Sequence, residues 1–348
     1  MKKILSLLVL AGLLAGGICY WQISAKTAVA RLPDGSPDLR GRHIVVYVSL
    51  RDEVGRAYLE LFKEKTGCSY EYLYLPTQAS LARIRSERQR PQADVVMGGT
   101  SHAQIQAGRE GLTASYVSPN AASLPERFKD SAGHWTGIAT TPMAIVVNRA
   151  RWQREFAPRG KKLPQTYEDI LDPDYQGQIA LSDPNTAGTS YTMLAYLNQK
   201  LPPAERDRFY QGLRRNVGTY TFNGYTAVEK VASGEYLLGL NFLDDQLSLR
   251  FSGFDILGIV PPDCAWTMDA VSLVKDGPNP EAARYFIDFC LEKETQEEIS
   301  RIAYSVPTRP DAVAAASQPG ESFALYEAFD FSRAGQEQSD LLEKWNKL

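Results

Sequence analysis

The chain has 348 residues, with 38 Lys and Arg against 41 Asp and Glu and a formal net charge of -3. This near balance gives no electrostatic case for nucleic-acid binding. The hydrophobic fraction of 44% and the charged fraction of 23% are those of a globular chain, and the length suits about two domains of roughly 150 residues each. A single small module is therefore excluded.

The N-terminus has the pattern of an export signal. Met1-Lys2-Lys3 precedes an apolar stretch from Ile4 to Cys19, and Ile23-Ser24-Ala25 offers a cleavage site. We therefore expect residues 1–25 to direct the protein to the periplasm or another extracytoplasmic location. Two alternatives stay open. Cys19 can be a lipid-attachment site, and residues 4–23 have about the 20-residue length that spans a bilayer as an uncleaved anchor.

An alternation of strands and helices follows a predicted linker over residues 26–41. The β-branched run HIVVYVSL, from His43 to Leu50, is too short for a helix and predicts a buried strand. The next segments alternate in the way that is typical of a parallel sheet. They are a helix ending at Gly67, a strand over 69–75, a helix over 78–89, a strand over 93–97 and a helix over 101–109.

A second domain is predicted beyond residues 135–148, which look like two extended pieces separated by Pro142. Its predicted elements are a strand over 178–181, helices over 187–199 and 205–215, a strand over 219–222, a helix over 226–233 and a strand over 236–242. Strands over 254–260 and 268–274 form the expected return crossing. A helix from Pro280 to Ile302 and a helical tail from Phe323 complete the prediction.

The predicted fold is thus α/β, with two lobes joined by a hinge of extended crossover segments. Residues 42–140 and 262–300 form the first lobe of this prediction, and residues 141–261 and 301–348 form the second.

Four loops carry hydroxyls and glycines where a strand ends and a helix begins. Ligands of open α/β sheets bind in that crevice, and the free N–H groups of helix N-termini suit a phosphate, phosphonate or carboxylate. Ordinary helix N-caps favour the same residue types, so both interpretations stay open. The loops are Ser49 to Arg51, Gly98 to Ser101, Asp183 to Ser190 and Phe222 to Thr226.

The expected anion site combines loops of both lobes: Thr186, Gly188, Thr189 and Ser190 in the second, with Thr100, Ser101 and Arg51 in the first. Gly188 lets a ligand oxygen approach the backbone without a Cβ in the way. Arg51 has two interpretations, a bidentate contact to the anion or a solvated residue beside Asp52 and Glu53.

Asn241 lies at the end of the strand predicted over 236–242, and Asp244 and Asp245 follow it. These three residues suit sugar hydroxyls or an amine, although the two aspartates also suit a helix cap. The remaining candidate ligand-binding residues are Ser49, Thr140, Thr141, Asn223, Tyr225, Asp269 and Tyr304.

These loops and their order resemble the bacterial ABC-transporter solute-binding proteins of the ferric-iron, phosphonate and sugar-phosphate type, which have the two-lobed type 2 periplasmic binding fold. The resemblance covers about residues 43–310, and in combination its motifs are more specific for the fold than for the ligand. Besides the leader, its carriers are ADVVMGG from Ala93, ALSDPNTAGT from Ala180, AVEKVASGEY from Ala227, DAVSLVKDGPNPEAA from Asp269 and YSVPTRP from Tyr304.

The resemblance implies a function in import. The two lobes are expected to close on a small anionic solute, such as a phosphorylated sugar, an organophosphate or a phosphonate, and to present it to an ABC permease of the inner membrane with its separate ATPase. A monomer without cofactor or nucleic-acid partner is expected.

Three alternatives remain. Iron-binding members of the family use adjacent tyrosines just after the strand that here reads Leu240 to Gln246, and no such pair is present. Because phenolate oxygens make ferric-ion binding tight, their absence argues against iron. A sensor domain for a membrane receptor has the same sequence features. A secreted enzyme is least favoured, because GxSxG, GxxxxGK[ST] and GxGxxG motifs are all absent, although cleft carboxylates leave acid–base chemistry open.

Three cysteines lie outside the leader: Cys68, Cys264 and Cys290. The odd number leaves at least one thiol unpaired, and burial in the core is favoured for all three while their disulfide status stays open. His43, His102 and His134 lack the spacing of a metal site, so no metal is predicted.

Overall fold

The computed structural model describes residues 29–314 and 323–348. The export signal, its cleavage site, Cys19 and the anchor alternative all lie outside the described residues. Within these two ranges, no helix combines the length and apolar character needed to cross a membrane.

The strands of the described chain form one ten-stranded sheet that runs through both lobes. In chain order they are β1 (His43–Ser49), β2 (Ser69–Tyr74), β3 (Val95–Thr100), β4 (Thr136–Asn148), β5 (Ile179–Ser182), β6 (Val217–Thr221), β7 (Leu238–Phe242), β8 (Ile256–Ile259), β9 (Trp266–Leu273) and β10 (Val306–Pro307). The order across the sheet is β2-β1-β3-β9-β4-β7-β5-β6, with β8 and β10 also paired to β4.

The α-helices of the described chain cover the sheet. They are α1 (Asp52–Thr66), α2 (Thr77–Ser86), α3 (Ser101–Arg109), α4 (Arg149–Glu155), α5 (Gly188–Lys200), α6 (Pro203–Asn216), α7 (Gly224–Ala232), α8 (Leu243–Phe251), α9 (Pro280–Cys290), α10 (Lys293–Ala303), α11 (Phe331–Gln336) and α12 (Gln338–Asn346). Short 3₁₀ turns lie at Pro119–Ser123, Glu126–Phe128, Ala157–Arg159, Glu168–Leu171 and Pro173–Tyr175.

Lobe 1 contains β1, β2, β3 and β9 with α1, α2, α3, α9 and α10. The strands β1, β2 and β3 are parallel, as the alternation of strands and helices predicts. Helix α1 buries Tyr58 and Phe62 on one face and ends at Gly67, whose φ of 75° is the left-handed geometry that glycine adopts without strain.

Lobe 2 contains β5, β6, β7 and β8 with helices α4 to α8. Strand β4 joins the two lobes, because its first half pairs with β9 of lobe 1 and its second half with β7 and β8 of lobe 2. The prediction of two extended pieces around Pro142 is wrong. Pro142 stays within the strand, because it stands where β4 exchanges one set of neighbours for the other and a missing N–H donor is tolerated there.

The C-terminal third also departs from the prediction. The single helix expected from Pro280 to Ile302 is two helices, because Glu292 has an extended backbone, with a ψ of 147°, between α9 and α10. Helix α10 then packs against α1. The expected helical tail from Phe323 is helical only from Phe331. Asp330 begins that helix by accepting a hydrogen bond from the N–H of Arg333.

The C-terminal helices touch both lobes, since α11 packs against α3 and α12 against α5. In addition, the hydroxyl of Tyr191 donates to the carbonyl oxygen of Ala334. Leu39 is fully buried although it lies in the predicted linker, so packed structure begins before residue 41. The lobe boundaries from the sequence remain a proposal.

Cys68, Cys264 and Cys290 are all buried, and none of them forms a disulfide. The interpretation of these residues as core cysteines is confirmed.

Candidate functional site

A cleft between the two lobes brings together most of the predicted site. It holds about 830 Å³ of empty space, including the part that is open to solvent. Ten of the predicted residues line it: Ser49, Arg51, Thr100, Thr141, Gly188, Thr189, Asn223, Tyr225, Asp244 and Asp269. The structure places these ten residues around one cleft, whereas their role in binding stays a prediction.

Six predicted residues do not line the cleft: Ser101, Thr140, Thr186, Ser190, Asn241 and Tyr304. Several of them are held by protein partners instead. The Ser190 hydroxyl lies 2.9 Å from that of Ser182, and Thr186 Oγ1 donates to the carbonyl oxygen of Phe222 at 2.7 Å. Tyr304 stacks on Phe251 with 4.9 Å between ring centroids.

Ser101, Thr140 and Asn241 are buried behind the cleft wall. Ser101 opens α3, and Thr140 pairs with Val306 within the sheet. Asn241 acts as a support, because its Nδ2 donates to Asp245 Oδ2 at 2.9 Å.

The predicted anion site lies where helices α3 and α5 begin. Neither N-terminus has a side-chain cap, although Thr100 and Ala187 occupy the N-cap positions. The first-turn N–H groups of an uncapped helix are available to an acceptor, and the helix dipole favours a negative one. At this end the lobes are in contact, since a Cβ at Gly188 would clash with Thr100 Oγ1.

A hydroxyl without a protein partner lies in the same cleft. Ser49 Oγ is buried, and within the described residues it has no hydrogen-bond partner. Because an unpaired buried hydroxyl costs free energy, Ser49 is suited to bond an oxygen of a ligand.

Other cleft residues are absent from the predicted set, among them Tyr74, Thr77, Gly99, Asp245 and Ser305. Thr77 could have been identified, because it opens α2 directly after β2 and so follows the rule that selected the other loops. Thr77 also holds the start of α3 in place, since its Oγ1 accepts a hydrogen bond from the N–H of Thr100 at 3.3 Å.

Arg51 is not a solvated surface residue, because its side chain is only 7% exposed. Its Nη1 lies 2.7 Å from Glu53 Oε1, and its Nε lies 3.3 Å from Asp245 Oδ1 in lobe 2. Its Nη2 donates to the carbonyl oxygen of Ala303 at 3.0 Å. Each guanidinium nitrogen thus has a protein partner, so the solvated interpretation is wrong and the guanidinium is not free to hold an anion alone.

Three carboxyl groups face the cleft: Asp244, Asp245 and Asp269. Asp244 Oδ1 accepts a hydrogen bond from Thr141 Oγ1 at 2.9 Å. Burial raises the pKa of Asp244, and burial together with the charge of Asp244 raises the pKa of Asp245 to about 7. Burial also raises the pKa of Asp269, and the charges of Asp244 and Asp245 add to this rise.

Two α/β lobes with a polar cleft between them are the architecture expected of a solute-binding protein. Comparisons with known proteins support the same class. Residues 90–332 match the family described as bacterial extracellular solute-binding protein. The chain belongs to this family. Its members are binding proteins rather than enzymes. The family match confirms the family that the sequence predicted, and the likeness to solved structures confirms the fold.

Three relatives show the breadth of the likeness. An uncharacterized protein of Haemophilus influenzae is 29% identical over 330 residues, 92% of this chain and 94% of its own length. A putative 2-aminoethylphosphonate-binding periplasmic protein of Salmonella typhimurium is 22% identical and matches 72% of this chain and 73% of its own. The structure of AfuA from Actinobacillus pleuropneumoniae, with exogenous fructose-6-phosphate bound, aligns with a TM-score of 0.83 at 28% identity, covering 88% of this chain and 98% of AfuA.

The protein is therefore an extracytoplasmic solute-binding protein of the ABC-importer type. Such proteins deliver a small solute to a permease that is driven by an ATPase.

Proposed function

We propose that this protein captures a small organic solute with a phosphate or phosphonate group by closure of its lobes, and delivers it to an ABC permease. The observation that carries this proposal is the meeting of two uncapped helix N-termini across the cleft, at Thr100 and Gly188. Each N-terminus presents N–H donors and the positive end of a dipole, and the two lie on different lobes. An oxyanion in the cleft beside this contact reaches both N-termini only when the lobes are closed.

The hydroxyls around this point suit the same ligand. Thr189, at the start of α5, is only 9% exposed, and Ser49 contributes its unpartnered hydroxyl. Hydroxyls donate hydrogen bonds without adding charge, and phosphate oxygens accept several such bonds at once. The compounds named for two similar proteins, 2-aminoethylphosphonate for the Salmonella typhimurium relative and fructose-6-phosphate for AfuA, both carry such a group.

Closure is supported by contacts that join the lobes beside the cleft. The N–H of Gln78 donates to the carbonyl oxygen of Thr186 at 3.2 Å, and Ser248 Oγ donates to Glu53 Oε1 at 3.3 Å. Because these bonds cross from one lobe to the other, they form only when the lobes approach. A ligand that bridges α3 and α5 therefore stabilises the arrangement in which they are made.

Native mass spectrometry of protein purified without refolding, followed by a thermal-shift screen, tests the proposal. The screen contains sugar phosphates, phosphonates, unphosphorylated sugars, carboxylates and ferric citrate. We expect only phosphorylated or phosphonate compounds to raise the melting temperature, with about 2.7 kcal/mol of added stability at a hundred times the Kd. Stabilisation by unphosphorylated sugars alone would contradict the proposal.

A matched pair of variants locates the anion. Thr189→Ala should weaken binding by about 0.5–3 kcal/mol, the range for a lost hydrogen bond to a neutral or charged partner. Ser123→Ala, an exposed residue of a 3₁₀ turn outside the cleft, should bind as the parent does. Small-angle scattering on the bound and free parent protein should show a smaller radius of gyration with solute, because the lobes close.

A further inference from the structure

The C-terminal segment, residues 329–348, is anchored on lobe 2. Trp345 of α12 is only 3% exposed, and its ring packs edge-on against that of Tyr210 with 5.8 Å between the centroids. Before α11, the backbone N–H and C=O of Asp330 form two hydrogen bonds with the side chain of Gln199 in α5, each 2.8 Å long. Both ends of the segment therefore bind to helices of lobe 2.

Helix α11 of the same segment lies against lobe 1. It packs on α3, and Arg109 Nη1 of α3 donates to the carbonyl oxygen of Ser332 at 3.3 Å. The approach is tight at Gly335, where an added Cβ would lie 3.0 Å from the carbonyl oxygen of His102. A large side chain at this position would therefore push α11 away from α3.

This contact lies beside the predicted anion site. His102 is two residues after Thr100 in the first turn of α3, and its ring centroid is 4.6 Å from that of Tyr191 in the first turn of α5. Tyr191 is fully buried, and its hydroxyl donates to the carbonyl oxygen of Ala334 in α11. Helix α11 thus contacts the first turns of both helices whose N-termini line the cleft.

A segment that is attached to both lobes resists their separation. When the lobes open, either Trp345 must leave lobe 2 or α11 must leave α3. Trp345 is held by its buried ring and by a hydrogen bond from Arg214 Nη1 to its carbonyl oxygen at 2.6 Å. The attachment to α3 includes a hydrogen bond from the exposed Arg109. Because it is costly to expose a buried tryptophan, α11 is the part that separates.

We propose that residues 329–348 form a C-terminal clamp, carried on lobe 2, that holds α3 in the closed arrangement. Gly335 is its positioning residue, since it lets α11 approach His102. Contacts that form only in the closed state raise the population of that state, and a larger closed population raises the apparent affinity for solute. The inference goes beyond the proposed function, because it concerns lobe movement and holds for any solute that the cleft binds.

Hydrogen exchange of the solute-free protein with an engineered disulfide tests the clamp. An added Cβ at Gly335 would lie 3.8 Å from the Cβ of Gln106 in α3, a separation that suits a disulfide. Oxidation of the double variant Gln106→Cys, Gly335→Cys therefore ties α11 to α3, and the native cysteines of the described chain are buried. The reporter is the N–H of Gln78, which donates to the carbonyl oxygen of Thr186 in lobe 2 and exchanges when the lobes open.

The N–H of Val46, in the buried centre of β1, reports global unfolding and serves as the reference. Relative to the reduced double variant, oxidation should slow exchange at Gln78 at least about tenfold more than it slows exchange at Val46. Equal slowing at the two sites would overturn the clamp, because the disulfide would then only stabilise the fold while the lobes open with α11 attached to α3.

Gly335→Leu tests the clamp without a disulfide, and it decides the matter if the two cysteines do not pair. Leucine favours a helix more than glycine does, so a loss of helix cannot explain the effect. Exchange at Gln78 should become about tenfold faster relative to Val46, whereas Arg333→Leu, at an exposed residue of the same helix, should behave as the parent does. Parent-like exchange in Gly335→Leu would refute the clamp. Neither experiment contains a solute, so failure of the phosphate or phosphonate proposal would not affect the result.

Discussion

The Nε atom of Arg51 in lobe 1 lies 3.3 Å from Oδ1 of Asp245 in lobe 2, and both side chains are largely buried. The pair therefore joins the lobes at the N-terminus of α8, next to the cleft. Tyr225 lies beside it, with its ring centroid 5.8 Å from the Arg51 guanidinium carbon. The pair therefore connects the two lobes in the closed state, and Arg51 is not free to bind an anion.

Arg51→Met should destabilise the closed protein, because it leaves Asp245 and Glu53 without their cation. The loss of one partner of a buried pair costs about 3 kcal/mol or more. Denaturant unfolding of the parent, Arg51→Met, Asp245→Asn and the double variant measures this. The double variant should lose less than the sum of the single losses, because the two side chains interact. Additive losses would show that the pair contributes nothing.

Gly188→Val should abolish solute binding while leaving the circular dichroism spectrum unchanged. The first added carbon already clashes with Thr100 Oγ1, so the valine holds α5 away from α3 and prevents the two helix N-termini from approaching the same ligand. Gly212→Ala, in a helix outside the cleft, serves as the control. If calorimetry finds parent-like affinity in the valine variant, the anion does not bind at this point.

Stability of the solute-free protein should fall as the pH rises from about 4 to 7. The carboxyl pKa of Asp245 is raised from 3.8 to about 7 in the folded protein, and that of Asp269 is also raised. The folded state therefore holds more protons than the unfolded state in this interval, and the stability these groups contribute is lost as they ionise.

Asp269→Asn checks the sign of this effect. At pH 7.5 the variant should be more stable than the parent, because it has no carboxyl group whose ionisation the folded state disfavours. At pH 4 the two should be equal, because the aspartate is then protonated. Denaturant unfolding at both pH values measures this, and a variant that is less stable than the parent at pH 7.5 would contradict the account.

Ferric ion, added with carbonate or citrate, should give no tyrosinate charge-transfer absorption. The segment after β7 contains no adjacent tyrosines, and phenolate oxygens are the ligands that make ferric binding tight. The visible spectrum is the measurement. A strong band that disappears in Tyr225→Phe or Tyr304→Phe would overturn this expectation, because separated tyrosines would then be binding the iron.

The local features of this fold could be predicted from sequence, since they depend on neighbouring residues. The apolar run of β1 and the amphipathic pattern of α1 identify a strand and a helix, and hydroxyls and glycines mark the loops that open α3 and α5. Thr77 was missed although its loop, Leu75-Pro76-Thr77, also places a hydroxyl where a strand ends and a helix begins.

The partners of Arg51 could not be predicted in this way. The sequence places Arg51 beside Asp52 and Glu53, and only the packing of α8 against lobe 1 brings Asp245 to it. For the same reason the sequence does not reveal that the Asp269 side chain has no hydrogen bond or ion pair within the described residues, because that depends on every element that surrounds the cleft.

Calorimetric titration of a sugar phosphate that raises the melting temperature, against the same sugar without its phosphate, tests the central claim most directly, because the two compounds differ only in the phosphate. The phosphorylated compound should bind, and the free sugar, which cannot bridge the N-termini of α3 and α5, should bind at least about a hundredfold more weakly, a difference of roughly 2.7 kcal/mol. Equal binding of the two compounds would contradict the account, since the helix N-termini at Thr100 and Gly188 would then contribute nothing to recognition.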